Sequence, residues 1–321
     1  MLRVRPVTSI DDFAARPGDA GSFKGQVASW WDAGESRPEW CFLLEDDADI
    51  VGRVGFLVTP TTSDPAWLGN LPSHELGLYG LELPWTDRPV EAGRQLLARS
   101  LELVAADLPA TLEIRANPGV HPHHDIRRAL AESCGLDLFQ EKLGFSWLGE
   151  GDRAATVVPD RLVFRTVTEI GSDAYAKVMA PCGFGTLDRN DRYYWEGCGP
   201  SNWAAQMMEY LTEPDAPMWL VGYVGDDPAG YVAVSAVEDW GSTITHVGVH
   251  PDHRGRGYID DLLGAAAIAT QQAGIHQGLS DVDVVNMPMI TAMRRAGYRD
   301  DARPWHVWTY RGSVTGVIES A

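Results

Sequence analysis

The chain repeats one plan twice, and this internal repeat restricts its fold more than any other feature of the sequence. The segment RVRPVTSIDDF near the start corresponds to FRTVTEIGSDAY, so that Arg5 matches Arg165. Two alternating, β-rich runs follow in each half and meet at an acidic turn, at Asp46 in the first half and Asp226 in the second. Two copies of one plan within 321 residues predict two domains, each large enough to bury its own core.

The order of the predicted elements is the same in both halves: a strand, helices, a meander of strands, a helix, a strand, a helix and a strand. The strand and helix LGLYGLELP and VEAGRQLLARSLELVAADLP, for example, parallel TITHVGVHP and GYIDDLLGAAAIATQQAG. This alternation predicts the α/β class, with a mixed sheet and helices on both faces. We place the boundary near residues 150–160, in the polar segment GEGDRAATVVPD, which gives domains 1–155 and 156–321.

The charge balance restricts the partners of the chain. Its 45 acidic and 26 basic residues give a net charge of −19, which repels nucleic acid and anionic membranes and suits a cationic small molecule. No apolar run approaches the roughly 18 residues of a membrane span, and the start lacks the plan of a signal peptide. Four scattered cysteines without a CxxC pair argue against a disulfide framework or a structural zinc, so we expect a cytoplasmic protein.

A turn rich in glycine and arginine joins a strand to a helix in the second half. The strand ends at Pro251, and the helix follows the turn that contains Arg254 and Arg256. Free backbone N–H groups at a helix N-terminus, the helix dipole and two arginines form a favourable site for a pyrophosphate. The spacing fits neither the Rossmann fingerprint nor a P-loop. The alternative is a solvated turn without a ligand.

The same turn resembles the coenzyme A signature of the GNAT superfamily of N-acetyltransferases, Arg/Gln-x-x-Gly-x-Gly/Ala. Here the signature reads Arg254-Gly255-Arg256-Gly257-Tyr258-Ile259. Asn286, ahead of a helix that closes on AGY, is similar to the family's Asn-x-x-Ala helix, which closes on Leu-Gly-Phe. The first half has the same plan and ends in FQEKLGF, so most of the chain is similar to tandem GNAT proteins, of which mycothiol synthases are one type.

The resemblance implies that acetyl-CoA lies between two splaying strands and that no metal is needed. Its pyrophosphate would contact the backbone amides of residues 254–259, and its pantetheine arm would pair with a strand edge and meet Asn286. The expected cofactor-binding residues are Val247, Gly248, Val249, Arg254, Gly255, Arg256, Gly257, Tyr258, Ile259 and Asn286. The family transfers acetyl directly to an amine, which must be deprotonated before it attacks.

The sequence departs from the family pattern at three places. Ile259 replaces the small residue that ends the signature, although its backbone amide remains. Thr243 and Thr245 occupy strand positions at which relatives often carry a Glu or His base. Met293 stands where many relatives keep a tyrosine that protonates the departing thiolate.

The base must therefore come from another position. Asp283, at the end of a central strand, is the first candidate, with a turn or cap carboxylate as the alternative. Glu238 and Asp239 are further candidates, although turn residues like these are usually solvated. We expect His246 to be a packed or surface histidine, because it alternates away from the face of Thr245.

Two further predictions concern the role of the first half and the role of an insertion in the second half. Glu91 falls where Gly257 stands in the second half, which predicts a degenerate domain that supports the other one; an acyl-CoA held without turnover is the alternative. Between its first helix and its hairpin, the second half has an acidic, aromatic insertion from residue 180 to residue 218. This insertion is either a lid for a polar amine or an ordinary helical insertion.

These observations favour an acetyl-CoA-dependent N-acetyltransferase that acts on a small cationic amine, as a monomer or a homodimer. One alternative is a non-catalytic, regulatory module that binds coenzyme A. The other is a transferase like mycothiol synthase, which would acetylate a cysteinyl pseudodisaccharide amine. No residue of the sequence selects the acceptor.

Overall fold

A computed structural model describes residues 2–14, 21–47, 49–105, 110–118, 120–148, 160–210, 218–237, 241–300 and 307–320. The chain divides into two compact units. The first contains Met1–Gln140 and Val307–Ala321, and the second contains Glu141–His306. Both have strands and helices in alternation, which confirms the predicted α/β class.

The elements are numbered in chain order. The strands are β1 (Leu2–Pro6), β2 (Cys41–Asp46), β3 (Asp49–Pro60), β4 (His74–Glu82), β5 (Ala110–Arg115), β6 (Asp137–Leu148), β7 (Val163–Thr166), β8 (Trp219–Val224), β9 (Asp227–Val237), β10 (Gly241–Val249), β11 (Gln277–Asp283), β12 (Arg299–Asp300) and β13 (Val307–Ser313). The helices are α1 (Ile10–Ala14), α2 (Gly21–Asp32), α3 (Pro89–Val104), α4 (His124–Ser133), α5 (Val167–Ile170), α6 (Ser172–Cys182), α7 (Arg189–Cys198), α8 (Pro200–Tyr210), α9 (Tyr258–Gln272), α10 (Met287–Arg295) and α11 (Val314–Ser320).

The first unit is a sheet in the order β1-β2-β3-β4-β5-β13, in which only β4 and β5 run parallel. Helix α3 packs on it because its apolar residues recur every four or five positions. Ala92, Leu96, Leu97 and Leu101 are all buried in the main core of this unit. Each fully buried leucine stabilises the fold by about 1.5–3 kcal/mol.

The second unit has the order β6-β11-β10-β9-β8-β7, and β12 pairs with β6. Only β10 and β11 run parallel. Helix α9 lies against this sheet: Leu262 and Ala266 pack with Val232 and Val234, and Leu263 packs in a second cluster with Phe145. The helix that follows the glycine turn is thus fixed along its length by apolar contacts.

The predicted domains, 1–155 and 156–321, differ from these units at both closing strands. The last strand of the chain, β13, pairs with β5 in the first unit. Residues 142–148 of β6 pair with β11 in the second unit. Both closing strands have the same alternating pattern, so the sequence pattern cannot select their partners. The boundary was predicted near residues 150–160, and all of this polar segment except Asp160 lies outside the described residues.

The assignment of the chain end to the first unit is testable with a double variant. Val314 and Val317 are each only 1% exposed, in the core of the first unit. We expect V314A/V317A to lower the free energy of unfolding of that unit by about 2–4 kcal/mol. Hydrogen exchange should then speed up in Ala110–Arg115 and stay unchanged in Gln277–Asp283. Val285→Ala, at an exposed position, is the control, and faster exchange in Gln277–Asp283 would contradict the assignment.

Candidate functional site

Strand β10 separates from β11 soon after the two strands meet. It pairs with β9 as far as Val249, but with β11 only at Ser242 and Thr243. Beyond Thr243 no further pairing joins β10 to β11 in the described part of the chain. The two strands therefore form the V-shaped opening that the resemblance implies, and Val247, Gly248 and Val249 lie on its open side.

A β-bulge at Thr245 determines what lies beside this opening. The pairing of β10 with β9 shifts register between Ile244 and His246, and the Thr245 hydroxyl donates to the carbonyl of Ala233 at 3.0 Å. The His246 ring stacks on Tyr231 of β9, with centroids 5.7 Å apart and planes 9° apart. His246 is packed, as predicted, and 14% of its side chain stays exposed.

The glycine turn ends with left-handed residues at the start of α9. Gly255 has φ +76° and Gly257 has φ +77°, a backbone conformation that glycine adopts far more readily than other residues. The first turn of α9 follows directly, with N–H groups that have no partner inside the helix. Ile259 does not crowd this turn, because it packs inward against the cores around Leu262 and Leu263.

The Arg254 side chain braces the turn. Its Nε donates to the Val249 carbonyl at 3.1 Å, and its Nη2 donates to the Cys182 carbonyl at 2.8 Å. Arg254 thus links the turn to the end of β10 and the end of α6, rather than extending freely toward an anion. Arg256 is exposed.

A cluster of charged side chains lies next to His246. His246 Nε2 is 2.9 Å from Asp191 Oδ2, and His246 Nδ1 is 2.6 Å from Tyr231 Oη. Lys142 Nζ lies 2.8 Å from Asp281 Oδ1 and 3.7 Å from a carboxylate oxygen at the N-cap of α7. The edge of Trp203 also faces the His246 ring. Five elements, β6, β9, β11, α7 and α8, therefore supply the groups around this histidine.

The charges in this cluster shift each other's pKa. Burial alone would lower the pKa of His246, but the charge and hydrogen bond of Asp191 outweigh burial, and the pKa of His246 lies above its ordinary value. Burial alone would raise the pKa of Asp191, but His246 and Lys142 hold that pKa below its ordinary value. For Asp188, burial and the nearby charge of Asp191 raise the pKa. The contact therefore favours the imidazolium form of His246 and the carboxylate form of Asp191.

The comparisons with known proteins agree with this geometry. Residues 188–298, which contain the glycine turn, match the model of the Acetyltransferase (GNAT) family. The second unit carries a GNAT acetyltransferase domain. This match confirms the resemblance that the turn predicted, and a GNAT domain supports acyl transfer. The chain has no significant match among curated proteins.

Solved structures extend the likeness to nearly the whole chain. A GCN5-related N-acetyltransferase from Sphaerobacter thermophilus aligns at 16% identity over 98% of this chain and 96% of its own, with a TM-score of 0.61. A glucosamine N-acetyltransferase region of a fungal multi-domain GH3 beta-N-acetylglucosaminidase aligns at 14% identity over 97% and 38%, with a TM-score of 0.54. A tandem GNAT protein from the clavulanic acid biosynthesis pathway aligns at 16% identity over 98% and 99%, with a TM-score of 0.48. At these identities the first two similarities show a shared fold.

The predicted bases of the GNAT domain occupy different environments. Asp283 is fully buried, and its two oxygens accept the backbone N–H groups of Val285 at 3.1 Å and Arg189 at 3.2 Å. This is the geometry of a capping carboxylate, the alternative reading of that residue. Glu238 and Asp239 lie outside the described residues.

The downstream features of the GNAT domain are also structural. Asn286 caps α10, because its side-chain oxygen accepts the Met289 N–H at 3.3 Å. Met293 is buried in the core beside Phe145, so it presents no group to a thiolate. Burial raises the pKa of Cys182 to about 12, which argues against a thiolate nucleophile there.

The insertion of the second half forms helices, as one of its two interpretations predicted. Trp203 of α8 is 1% exposed. Asp191 of α7 is the residue that sequence reasoning missed as the partner of His246. It is one of several acidic residues in the insertion, and 55 positions separate it from His246.

The corresponding turn of the first unit is built differently. Helix α3 begins at Pro89, which has no N–H group, after Arg88 in a left-handed conformation with φ +45°. Arg88, and not Glu91, thus takes the place of Gly257. The expected match, made from Leu97 and Leu263, differs by three residues because α3 begins eight residues before Leu97 and α9 begins five residues before Leu263. Arg127 also donates to the Leu81 carbonyl at 3.0 Å, beyond the stretch in which β4 pairs with β5.

Among the helices that the structure describes, none is long and apolar enough to cross a membrane. No group of three or more His, Cys, Asp or Glu side chains in the described ranges is arranged to hold a metal ion.

The His246–Asp191 pair should raise the free energy of unfolding most within a limited range of pH. The raised pKa of His246 contributes stability below its unfolded value of about 6.5, and this is lost as pH rises through the folded pKa. The lowered pKa of Asp191 contributes stability above about 3.9, and this is lost as pH falls through the folded pKa. Both contributions are complete between about pH 4 and 6.5.

Denaturant unfolding of the wild type and Asp191→Asn across pH 3–9 measures this window. We expect the variant to be about 1.5–3 kcal/mol less stable inside the window and closer to the wild type outside it. Asp173→Asn, which removes an exposed carboxylate from α6, should show no such window. A constant difference at every pH would mean that the pair is not ionic.

Proposed function

We propose that the second unit transfers an acetyl group from acetyl-CoA to the amine of a small, cationic molecule. The observation that carries the proposal is the glycine turn at the N-terminus of α9, directly after the open edge of β10. The two features suit the two ends of one ligand, a pyrophosphate and a pantetheine arm. We further propose that the first unit takes no part in cofactor binding.

The residues of the turn fit such a ligand. An added Cβ at Gly255 would meet nothing within 4 Å, so there is space beside this part of the turn. Residues 254–259 would hold the pyrophosphate through backbone N–H groups. Val247, Gly248 and Val249 would pair with the pantetheine arm and orient the thioester, whose carbonyl carbon accepts the amine.

The Tyr231–His246–Asp191 chain is our candidate for removing the proton of the amine. With Nε2–H donated to Asp191, the neutral imidazole can accept a proton at Nδ1, where the Tyr231 hydroxyl lies at 2.6 Å. Tyr231 Oη can pass its proton to Nδ1 as it takes one from the amine, and Asp191 stabilises the resulting imidazolium. An added Cβ at Gly248 would lie 2.9 Å from the Tyr231 ring. The hydrogen-bonded series Tyr231–His246–Asp191 therefore ends beside the strand edge proposed to bind the pantetheine arm.

The negative charge near the opening and over the whole chain supports a cationic acceptor. Among the described residues near the opening, three carboxylates lie beside two cationic side chains: Asp188 and Asp281 beside Lys142, and Asp191 beside His246. The buried carboxylate of Asp283 lies at the start of α7. The net charge of −19 acts in the same direction. We propose a small-molecule acceptor rather than nucleic acid or a membrane, and a cytoplasmic monomer or homodimer.

A module that binds acetyl-CoA without turnover is the second candidate. The burial of Met293 favours it, because no acid replaces the family's tyrosine at that position. The two candidates agree on binding and differ on turnover, so the experiments on binding and on rate are separate.

Calorimetric titration of acetyl-CoA tests the binding site. We expect Gly257→Glu to weaken binding about 100-fold or more, because a side chain at this left-handed position strains the turn whose amides would hold the pyrophosphate and adds a negative charge to it. Gly274→Glu is a matched control: Gly274 has φ +77° at the other end of α9, so it tests the same strain and charge away from the turn. Equal binding by the two variants would place the site elsewhere.

The pH profile of kcat/KM, measured by release of free thiol with a panel of polyamines and amino sugars, tests the proton acceptor. We expect the wild-type rate to rise with pH through the raised pKa of His246, which must be neutral to act. His246→Gln should lower kcat by about 10²–10⁴ and remove that limb of the profile. A limb unchanged in the variant would exclude His246, and binding without turnover of any amine would favour the non-catalytic module.

A further inference from the structure

Arg161 binds the glycine turn on its carbonyl side, opposite to the N–H groups that would face the proposed ligand. Its Nη1 donates to the carbonyl of Arg256 at 3.0 Å, and its Nη2 donates to the carbonyl of Gly257 at 2.8 Å. The guanidinium also lies 5.6 Å from the centroid of the Tyr258 ring. One side chain from outside the turn thus contacts three consecutive residues of the signature.

A buried carboxylate holds Arg161 in place. Asp261, in the first turn of α9, is fully buried and forms a salt bridge with the Arg161 guanidinium. Its other oxygen accepts the backbone N–H groups of Asp160 and Arg161, each at 3.3 Å. This network raises the pKa of Arg161, so its charge is permanent. Both the backbone and the side chain of Arg161 are therefore fixed to the helix that carries the turn.

Planarity of the peptide bond connects these contacts to anion binding. In a trans peptide the carbonyl of one residue and the N–H of the next point in opposite directions. Arg161 holds the Arg256 carbonyl and, together with the Asp260 N–H, the Gly257 carbonyl. It therefore helps to set the directions of the Gly257 and Tyr258 N–H groups, which point away from it. Those two amides are among the donors that the proposed function assigns to the pyrophosphate.

The glycine at position 257 is part of the same arrangement. An added Cβ there would lie 3.1 Å from Arg161 Nη1, so a side chain would press on the guanidinium as well as strain the backbone. The left-handed residues at 255 and 257 also favour a concave row of N–H groups. With its amide directions fixed before binding, the turn would not have to be ordered by the ligand.

We propose that Arg161 is a positioning residue for phosphate binding, which holds the Gly257 and Tyr258 amides toward the pyrophosphate of acetyl-CoA. This inference rests on the proposed function for the identity of the ligand. It assigns Arg161 no contact with the ligand: the guanidinium acts through the two carbonyls that it holds.

Calorimetry and kinetics of Arg161→Ala test the role. We expect the Kd and KM for acetyl-CoA to rise about 10- to 100-fold with kcat nearly unchanged, because the turn loses its preorganised amides. Arg161→Lys should recover only part of the affinity, because one ammonium group cannot reproduce the fixed geometry with which the guanidinium donates to two carbonyls. Arg165→Ala is the matched control, because Arg165 lies four residues away over the Tyr223 ring and has no contact with the turn among those described. Unchanged affinity in Arg161→Ala would overturn the inference and leave the proposed function intact.

Dephospho-CoA, which lacks the 3′-phosphate, separates positioning from direct contact. If Arg161 acts through the pyrophosphate amides, Arg161→Ala should lose the same factor in affinity for dephospho-CoA as for CoA. A loss seen only with CoA would show direct contact with the 3′-phosphate and overturn the positioning role.

Inorganic pyrophosphate separates failure of the inference from failure of the proposed function. If the wild type binds no acetyl-CoA, the proposed function fails, and pyrophosphate becomes the probe of the turn. Weaker pyrophosphate binding by Arg161→Ala would then still support the positioning role. Equal binding by both proteins, or binding by neither, would overturn it.

Discussion

The proposed site of the second unit depends on the early separation of β10 from β11. Two parallel strands that pair at only two positions leave backbone groups of β10 open in the interior of a sheet, and such groups need a partner. A ligand with amide groups can supply one. The opening is set by the packing of α9 on one side and by the capped turn after β11 on the other, where Asp283 ties that turn to the start of α7. The site is therefore a consequence of how the helices hold the two strands.

The two units share a pair of parallel strands followed by a turn and a helix, but the residues at the turn differ. Both contain a parallel pair of strands that ends early, at Gly77 in the first unit and Thr243 in the second. In the first unit the chain satisfies part of the opening itself, through Arg127 and the Leu81 carbonyl, and its helix begins with a proline. In the second unit glycines form the turn. A similar fold thus leaves the opening partly satisfied by a side chain in one unit and open in the other, and the residues of the site decide the function.

The sequence was sufficient for the features that local patterns encode. The repeat, the strand, turn and helix around Gly257 and the family of the second unit could all be predicted, because glycine spacing and hydrophobic period are local. The exchange of the closing strands could not be predicted, because β6 and β13 have the same pattern and their partners are far away in the chain. The bulge at Thr245 and the contact between His246 and Asp191 depend on tertiary packing, and no spacing in the sequence specifies them.

Hydrogen exchange measured by mass spectrometry, with and without acetyl-CoA, tests the central claim that the second unit alone holds the cofactor. We expect slower exchange in residues 246–262, where the open edge of β10 and the glycine turn lie, and no change in residues 79–92 of the first unit. Slower exchange in residues 79–92, or in neither segment, would contradict it.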